Sequence, residues 1–524
     1  MKQQYYNYIF KPFLLLVCVF INVACGGGNG NTTNLTKPDT GNVTTLTITK
    51  SGSGTITGTG INCGLDCTEQ FTATNSVTLL AMPDSGFNFT EWSGDCNGQG
   101  SCALSMDKNH NVSATFSPQA TVDCSTITTH CVDDTAGVNQ EFSTIQSAVD
   151  VAKAGDTVLV FDGIYTSGFR VSTNGTITKR LVIKANASSA VITGSEALSN
   201  ESIYINNTHY ITIEGFTILR AGQTGIGIGA HRASPTNPML GLIIRNNIVR
   251  DSDSVNIYLS QVASSLVEGN TTSGSKNSHG IYLSNGGSDN TILRNNNSYN
   301  NAINGIHFNG DASVGEGTDG LQTGLILENN IIHDNVVNGV SMDGVQSTII
   351  RNNLIYNNGR HAIRGYKMDA SSGPKNLTFI NNTFVVNNDN NSYPIKLSEE
   401  SGGHVFFNNI LTNNSNGSGI GSISVESGNF ASNNNIVLNA FTIGSINYTL
   451  SDWKKAGYGI NSILSSTPTE LFVNLATHDY HSKVSSLSID NGIAKFNNKT
   501  ASASDLDKQF RPIGNGYDIG VYEQ

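Results

Sequence analysis

The C-terminal two-thirds of the 524-residue chain sets short apolar runs against polar turns at a recurring distance. Each repeat has an apolar strand that ends in an Asn-type turn. The series reads Ile243-Ile244-Arg245-Asn246-Asn247, Val267-Glu268-Gly269-Asn270, Leu293-Arg294-Asn295-Asn296, Leu327-Glu328-Asn329-Asn330, Ile350-Arg351-Asn352-Asn353, Ile380-Asn381-Asn382 and Phe407-Asn408-Asn409. The closing Asn falls at 247, 270, 296, 330, 353, 382 and 409, in steps of 23, 26, 34, 23, 29 and 27 residues. A base period near 23 with variable additions predicts an all-β solenoid with loop insertions. Asn at the same turn of successive coils can stack into hydrogen-bonded ladders. A leucine-rich-repeat horseshoe fails as an account, because Leu does not recur at fixed offsets and no helices alternate with the strands.

Two further patterns precede the repeats. Val43–Ile48 and Val77–Ala81 alternate as half-buried strands do, and Phe87–Cys96 and Val112–Phe116 complete a separate small β domain over 43–117. Phe142, Ile145, Ala148, Val149 and Ala152 keep helical spacing, Ser143 and Gln146 form a capping box, and Gly155 stops the helix.

Three stretches carry resemblances. The helix followed by Gly155-Asp156-Thr157-Val158-Leu159-Val160-Phe161-Asp162-Gly163-Ile164-Tyr165 resembles the N-terminal cap of the pectate-lyase-like superfamily, which implies a right-handed parallel β-helix over 140–524. A helix there covers coil core and strand edges that would otherwise be exposed. The Trp92-Ser93-Gly94 segment and the closing Val112-Ser113-Ala114-Thr115-Phe116 strand resemble small β-repeat modules of bacterial surface proteins, which act as spacers. From about residue 412 the repeat blurs. Asp479-Tyr480-His481 through Ser488–Gly492 resembles the closing coils of such proteins, and Asp505–Gly514 with Asp518–Glu523 resembles a choice-of-anchor tail. The Arg-x-Pro-x-x-Arg of pectate lyases and the Asp-Pro-His of mannuronan epimerases are missing, so the resemblance is to the superfamily alone.

Composition sharpens this picture. Charged residues are only 13% of the chain, against roughly 25% in ordinary globular proteins. Gly, Asn, Ser and Thr take their place, as suits many short strands joined by turns. The net charge of -11 argues against a nucleic-acid partner. An acidic polysaccharide would need a local basic patch or a bridging cation.

Residues 1–25 read as an export signal, with an apolar stretch at Phe13–Ile21 too short to span a bilayer. Val23-Ala24-Cys25 followed by Gly26-Gly27-Gly28 resembles a lipobox, which implies lipidation at Cys25 and an outer-membrane or cell-surface lipoprotein; without the lipid the protein is secreted. Asn22 departs from the Leu usual in that motif. The only membrane contact expected is this lipid anchor. Residues 26–42 form a flexible tether. The other cysteines fall into close pairs, Cys63/Cys67, Cys96/Cys102 and Cys124/Cys131, the last in a connector over 118–139. Disulfides in an oxidising compartment are the simplest account, because no His stands at a zinc-like spacing beside them.

A solenoid places equivalent positions about 4.8 Å apart. The second strand of each coil aligns on an inward residue: Ile226, Ile257, Ile281, Ile306, Val340, Ile363 and Ile395. The next residue must then face outward, giving Gly227, Tyr258, Tyr282, His307, Ser341, Arg364 and Lys396. Two further on stand Gly229, Ser260, Ser284, Asn309, Asp343, Tyr366 and Ser398, and two before the inward residue stand Thr224, Val255, His279, Asn304, Asn338, His361 and Tyr393. With only 11 His and 29 Lys and Arg in the chain, this clustering is informative. The longest insertions, 231–239, 311–321 and 368–375, follow this strand and would wall a groove.

In the superfamily such a face binds extended polysaccharides. A lyase or epimerase acting on uronic acids needs a cation to neutralise the sugar carboxylate, a base and an acid. Arg364 or Lys396 suits the first role, His307 or Lys396 the second, and Tyr282 or His279 the third. Tyr258, His279, Asn309, Asp343, His361 and Tyr366 are candidate substrate contacts. Asp343 is nearly alone as a carboxylate, which weakens a hydrolase reading. Asp311, Glu316 and Asp319 form a candidate Ca²⁺ loop. Three readings stand: a polysaccharide lyase or epimerase, a non-catalytic glycan-binding or adhesive protein, and a structural stalk.

Overall fold

The computed structural model describes residues 43–524 apart from 59–60, 64–66, 73–75, 85–86, 99–101, 119–123, 125, 136–140, 187–188, 221–224, 233–236, 315–317, 388–391, 415–420 and 466. The export signal, Cys25, the tether, Thr224 and Glu316 lie outside the described residues. The chain divides into two compact units, residues 1–122 and 123–524.

The first unit is built from two four-stranded sheets. One runs Thr68–Thr72, Val43–Ser51, His110–Pro118, Phe87–Gly94; the other runs Ile61–Cys63, Gly54–Gly58, Ser76–Pro83, Cys102–Ser105. The alternation seen in the sequence becomes burial: Leu46, Ile48, Val77, Leu79, Val112, Ala114 and Phe116 pack around Trp92. Disulfides Cys63–Cys67 and Cys96–Cys102 close this unit's loops.

The second unit is a right-handed parallel β-helix made of three 12-stranded sheets. The first sheet begins at Thr129–Val132 and Thr157–Val160, the second at Gly163–Tyr165, and the third at Phe169–Val171. Their rungs pair in parallel from coil to coil, and only the closing pair Phe441–Ile443 and Ile446–Tyr448 is antiparallel. Inward Ile, Leu, Val and Phe residues from all three sheets form one continuous core.

The Asn ladder stands at the corner after the first sheet. Asn247, Asn270, Asn296, Asn330, Asn353, Asn382 and Asn409 each donate from Nδ2 to Oδ1 of the next Asn at 2.9–3.0 Å, and the series continues to Asn435. The preceding residue takes the left-handed turn conformation, as at Asn246, Asn295, Asn329 and Asn352. On the first sheet's outer face the chain alternates sign from coil to coil. Arg245 pairs with Glu214 at 2.8 Å, Arg294 with Glu268 at 2.7 Å, and Arg351 with Glu328 at 2.5 Å.

Both coil ends are plugged. The N-terminal helix is Ile145–Val151, one turn shorter than its apolar spacing suggested. Its cap is Thr144, which accepts from Ser147 N, not Ser143. Gln146 serves the sheet edge instead: its Oε1 accepts from Arg170 N at 2.7 Å and its Nε2 donates to Arg170 O at 3.2 Å. A side-chain amide thus stands in for the missing neighbour strand. Gly155, with φ +100°, turns the chain after the helix. The Cys124–Cys131 disulfide braces the first rung. At the other end helix Leu450–Lys455 inserts Trp453, 1% exposed, against Phe441 and Phe430 at 4.3 and 5.2 Å.

The closing region lies along the side of the coil, covering outer faces of two sheets. Leu471, Phe472, Tyr480, Ile519 and Val521 bury Leu354, Val385, Ile410 and Ile436 of the second sheet. Ile493, Phe496, Ala501 and Tyr517 cover Ile380, Val405 and Phe407 of the first. Arg511 and Glu523 pair inside this layer with neither side chain exposed.

Candidate functional site

The third sheet carries the expected column. Its register pairs Tyr258 with Tyr282, Tyr282 with His307, His307 with Ser341, Ser341 with Arg364, and Arg364 with Lys396. Asn309, Asp343 and Tyr366 likewise pair across their coils. One face therefore gathers these side chains, as the alternation required.

The first coil of that alignment needs correction. Ile257 pairs with Ile228, not Ile226, and Tyr258 with Gly229, not Gly227. Gly227 cannot belong to the outer column, because a Cβ there would sit 2.2 Å from Val249 Cγ1. The two-residue shift places His231 on strand Ile228–His231, next to Asn206 of the preceding coil. It is thus a groove residue, not the start of an insertion. Tyr204, Glu201 and Arg170 join it, none of which the sequence pattern singled out. Arg170 lies 4.2 Å over Tyr204, Tyr204 stacks on His231 at 5.0 Å, and His231 Nε2 is 2.9 Å from Glu201 Oε1.

The rings then form a ladder. His231 to Tyr258 is 5.1 Å, Tyr258 to Tyr282 is 5.5 Å, and Tyr282 to His307 is 4.8 Å with the planes 6° apart. Tyr282 and His307 thus turn ring faces to each other, whereas Tyr258 meets Tyr282 edge-on at 68°, and the hydroxyls and ring nitrogens stand at the ring edges.

Those edges are hydrogen-bonded in one direction. Asn304 N, which can only donate, lies 3.4 Å from His279 Nδ1, so that nitrogen is the acceptor. His279 must then carry its proton on Nε2, which faces His307 Nδ1 at 2.9 Å. His307 in turn presents Nε2–H to Tyr366 Oη at 3.2 Å. Each tautomer follows from the one before it. Burial lowers His279 to about 4. Burial, then His279, holds His307 well below the ordinary imidazole value. Both rings are neutral, and both nitrogens of His307 are occupied. His307 is therefore no free base, contrary to one of its expected roles. The relay ends on the Tyr366 hydroxyl, which burial, then Asp343, pushes up to about 12, so it keeps its proton.

The remaining candidates divide by depth. His279 and His361 are each 6% exposed and lie beneath the surface column. His361 Nδ1 accepts from Tyr393 N at 3.0 Å. Asp343 is 1% exposed and accepts from Met368 N at 2.9 Å and Asp369 N at 2.7 Å. It holds the 366–375 loop from beneath the surface, where the sequence pattern predicts a direct substrate contact. That loop is tied to the 311–321 insertion by Ala312 N to Asp369 O at 3.0 Å, so the two form one wall. Asn309 donates to Tyr282 Oη at 3.2 Å. Arg364 is anchored through Nη1 to Gly365 O and Ser398 Oγ, at 2.7 and 2.9 Å, with its guanidinium 5.4 Å from the Tyr366 ring centre. Lys396 lies over Tyr393, and burial, then Arg364 and Arg360, lowers its pKa.

Asp311 and Asp319 accept hydrogen bonds from their own loop, at Ser313 N and Leu321 N. Among the described residues no group of three or more His, Cys, Asp or Glu side chains is placed to hold a metal.

Residues 44–120 match the family described as a divergent InlB B-repeat domain. Residues 149–316 match the family described as periplasmic copper-binding protein NosD. The described residues do not assemble a copper site, since His279 and His307 spend their facing nitrogens on each other. No curated protein matches the chain. Similar solved structures include pectate lyase Pel9A, at 14% identity over 72% of this chain and 90% of that one, TM-score 0.49. The catalytic unit of a GH87 α-1,3-glucanase from Streptomyces thermodiastaticus strain HF3-3 is 14% identical over 77% and 81%, TM-score 0.43. The A-module of Azotobacter vinelandii mannuronan C-5 epimerase AlgE4 is 16% identical over 61% and 94%, TM-score 0.38.

Proposed function

We propose that the protein is an exported polysaccharide-acting enzyme that cleaves by β-elimination at a uronic acid held in the third-sheet groove. The hydrogen-bond relay from Asn304 through His279 and His307 to the Tyr366 hydroxyl carries this reading. Arg364 neutralises the sugar carboxylate, which acidifies the neighbouring C–H. Lys396, whose ammonium is disfavoured by burial and two arginines, takes that proton as the free amine. Tyr366 protonates the leaving oxygen, and the His307 Nε2–H then stabilises the phenolate. Tyr282 and Asn309 line the position beside it.

Sugar binding without reaction is the alternative. It would use exposed ring faces, whereas Tyr282 and His307 turn theirs to each other. Export is supported by the three disulfides and by the match of residues 149–316 to a family of periplasmic proteins. The lipid anchor at Cys25 rests on the leader alone.

A screen of defined uronic-acid polymers, with and without calcium, should give near-ultraviolet absorbance from 4,5-unsaturated products. Tyr366→Phe should slow it by about 10²–10⁴-fold, the usual worth of a general acid. Polymer binding with no absorbance on any substrate would replace the lyase by a glycan-binding protein.

A further inference from the structure

A second cavity lies where the N-terminal helix meets the turns of the first coils. It encloses about 810 Å³, within the range of small-ligand sites. Its apolar surface comes chiefly from two residues that the fold leaves outside, Ile164 at 65% and Leu198 at 82% exposure, beside Ala197. Asp134, Asp150 and Glu196 line it against a single cation, Arg170. Arg170 meets Glu196 through Nη2 at 3.0 Å, its only hydrogen-bonded side-chain nitrogen among the described residues. Asp134 accepts from Ile164 N at 2.9 Å and Asp150 from Gln146 Nε2 at 2.7 Å, each leaving acceptor capacity. Arg170 also borders the groove at Tyr204, but none of these residues takes part in the proposed chemical steps.

We propose that this cleft binds an N-acetylated amino-sugar residue. The acetamido group supplies three matching parts: a methyl for Ile164 and Leu198, an N–H for an acidic side chain, and a carbonyl for Arg170. Other sugars match less. A uronate meets Asp134 and Asp150 as like charges. A plain hexose meets the apolar rim only with ring C–H groups and lacks the methyl, and a free amine satisfies the carboxylates but likewise lacks the methyl for that rim.

Calorimetric titration of the full chain with N-acetylglucosamine trimer, glucosamine trimer and cellotriose tests this without requiring turnover. It therefore stands or falls apart from the lyase reading. The acetylated trimer should bind at least tenfold more tightly than either of the others. Leu198→Asp with Ile164→Asp, at exposed positions, and Ala197→Trp, which fills the cleft, should each weaken it tenfold or more. Both variants should melt as the parent does and turn over uronic-acid polymers unchanged. Equal or tighter binding of the glucosamine trimer, no binding of the acetylated one, or binding untouched by both variants would overturn the proposal.

Discussion

Replacing Asn330 by Ala removes one rung of the ladder that holds the coils in register. Asn330 is fully buried. Its Oδ1 accepts from Asn296 N and Nδ2, both at 3.0 Å, and its Nδ2 donates to Leu293 O, Glu328 O and Asn353 Oδ1 at 2.9–3.0 Å. Truncation does not orphan all of these partners. Asn296 Nδ2 keeps Val267 O at 2.9 Å, and Asn353 Oδ1 keeps Asn330 N at 3.0 Å. Asn296 N–H loses its ladder partner inside the protein, and Leu293 O loses a donor. An unsatisfied buried group costs about 1–3 kcal/mol, and the vacated amide leaves a void. The sum is a loss of about 3–5 kcal/mol. Guanidinium unfolding followed by circular dichroism should show it as a lower midpoint with an unchanged slope. Asn295→Gly, at an exposed position with φ +56°, is the control and should be near neutral. A loss below about 1 kcal/mol for Asn330→Ala would show that water replaces the amide and that the ladder contributes little.

Asp343→Asn keeps the shape but offers one acceptor to two amides, so the 366–375 loop should loosen. Polymer affinity should fall about tenfold with little change in melting temperature, read by titration and calorimetry. Lys396 must be deprotonated to act, so activity should rise with pH through a value below the ordinary lysine pKa of about 10.4. Arg364→Lys preserves charge and should leave that limb in place, whereas Arg364→Ala should move it upward in a pH–rate profile. His481 stands between Asp479 and Asp507, at 2.6 and 2.7 Å; burial opposes its charge, but Asp507 and then Asp479 outweigh it and raise the pKa. Its contribution is therefore full below the unfolded value of about 6.5 and lost as pH rises through the raised folded value. The melting-temperature gap between the parent and His481→Gln should shrink between about pH 6 and pH 9. Glu268→Arg should destabilise by like-charge stacking between Arg245 and Arg294; adding Arg294→Glu restores that pair but sets a second carboxylate beside Glu328, so the double variant should lose about as much as one single change and less than the sum of the two in a double-mutant cycle.

The Asn series was legible because each buried amide bonds the coil above and the coil below, so its spacing persists through every loop insertion. The site column followed from the same register, with one slip. Gly225-Ile226-Gly227-Ile228-Gly229 alternates small and apolar residues, and a shift of two keeps each residue on its own face. Only the pairing of Ile228 with Ile257 resolves it, and that pairing brings in His231. The direction of the relay was not legible either. It depends on which nitrogen of His279 faces a backbone amide, a fact of packing that residue types do not encode. The fold-back of the closing region left a trace: Thr383–Val386 and Val405–Phe407 carry apolar residues on both faces, and all are buried. Such runs signal a strand covered twice, but they do not say by what.

The covering also accounts for where chemistry can occur. All three sheets of the coil offer an outer face, and a polymer could in principle lie along any of them. The first spends its outer column on Glu–Arg pairs that satisfy one another, and then on Ile380 and Phe407, which the closing region buries. The second stacks Tyr299, His333 and Tyr356 at 4.8–4.9 Å, but Tyr480 and the tail seal that column from Tyr356 onward. The third keeps its outer column open from Tyr204 to Lys396, with half-buried polar side chains at nearly every coil. There Arg364 and Lys396 have no carboxylate partner within salt-bridge reach among the described residues, so their charge is left for a ligand to satisfy. The face with unpaired charge is also the one that the closing region leaves open, which supports the proposed groove independently of any single residue's role.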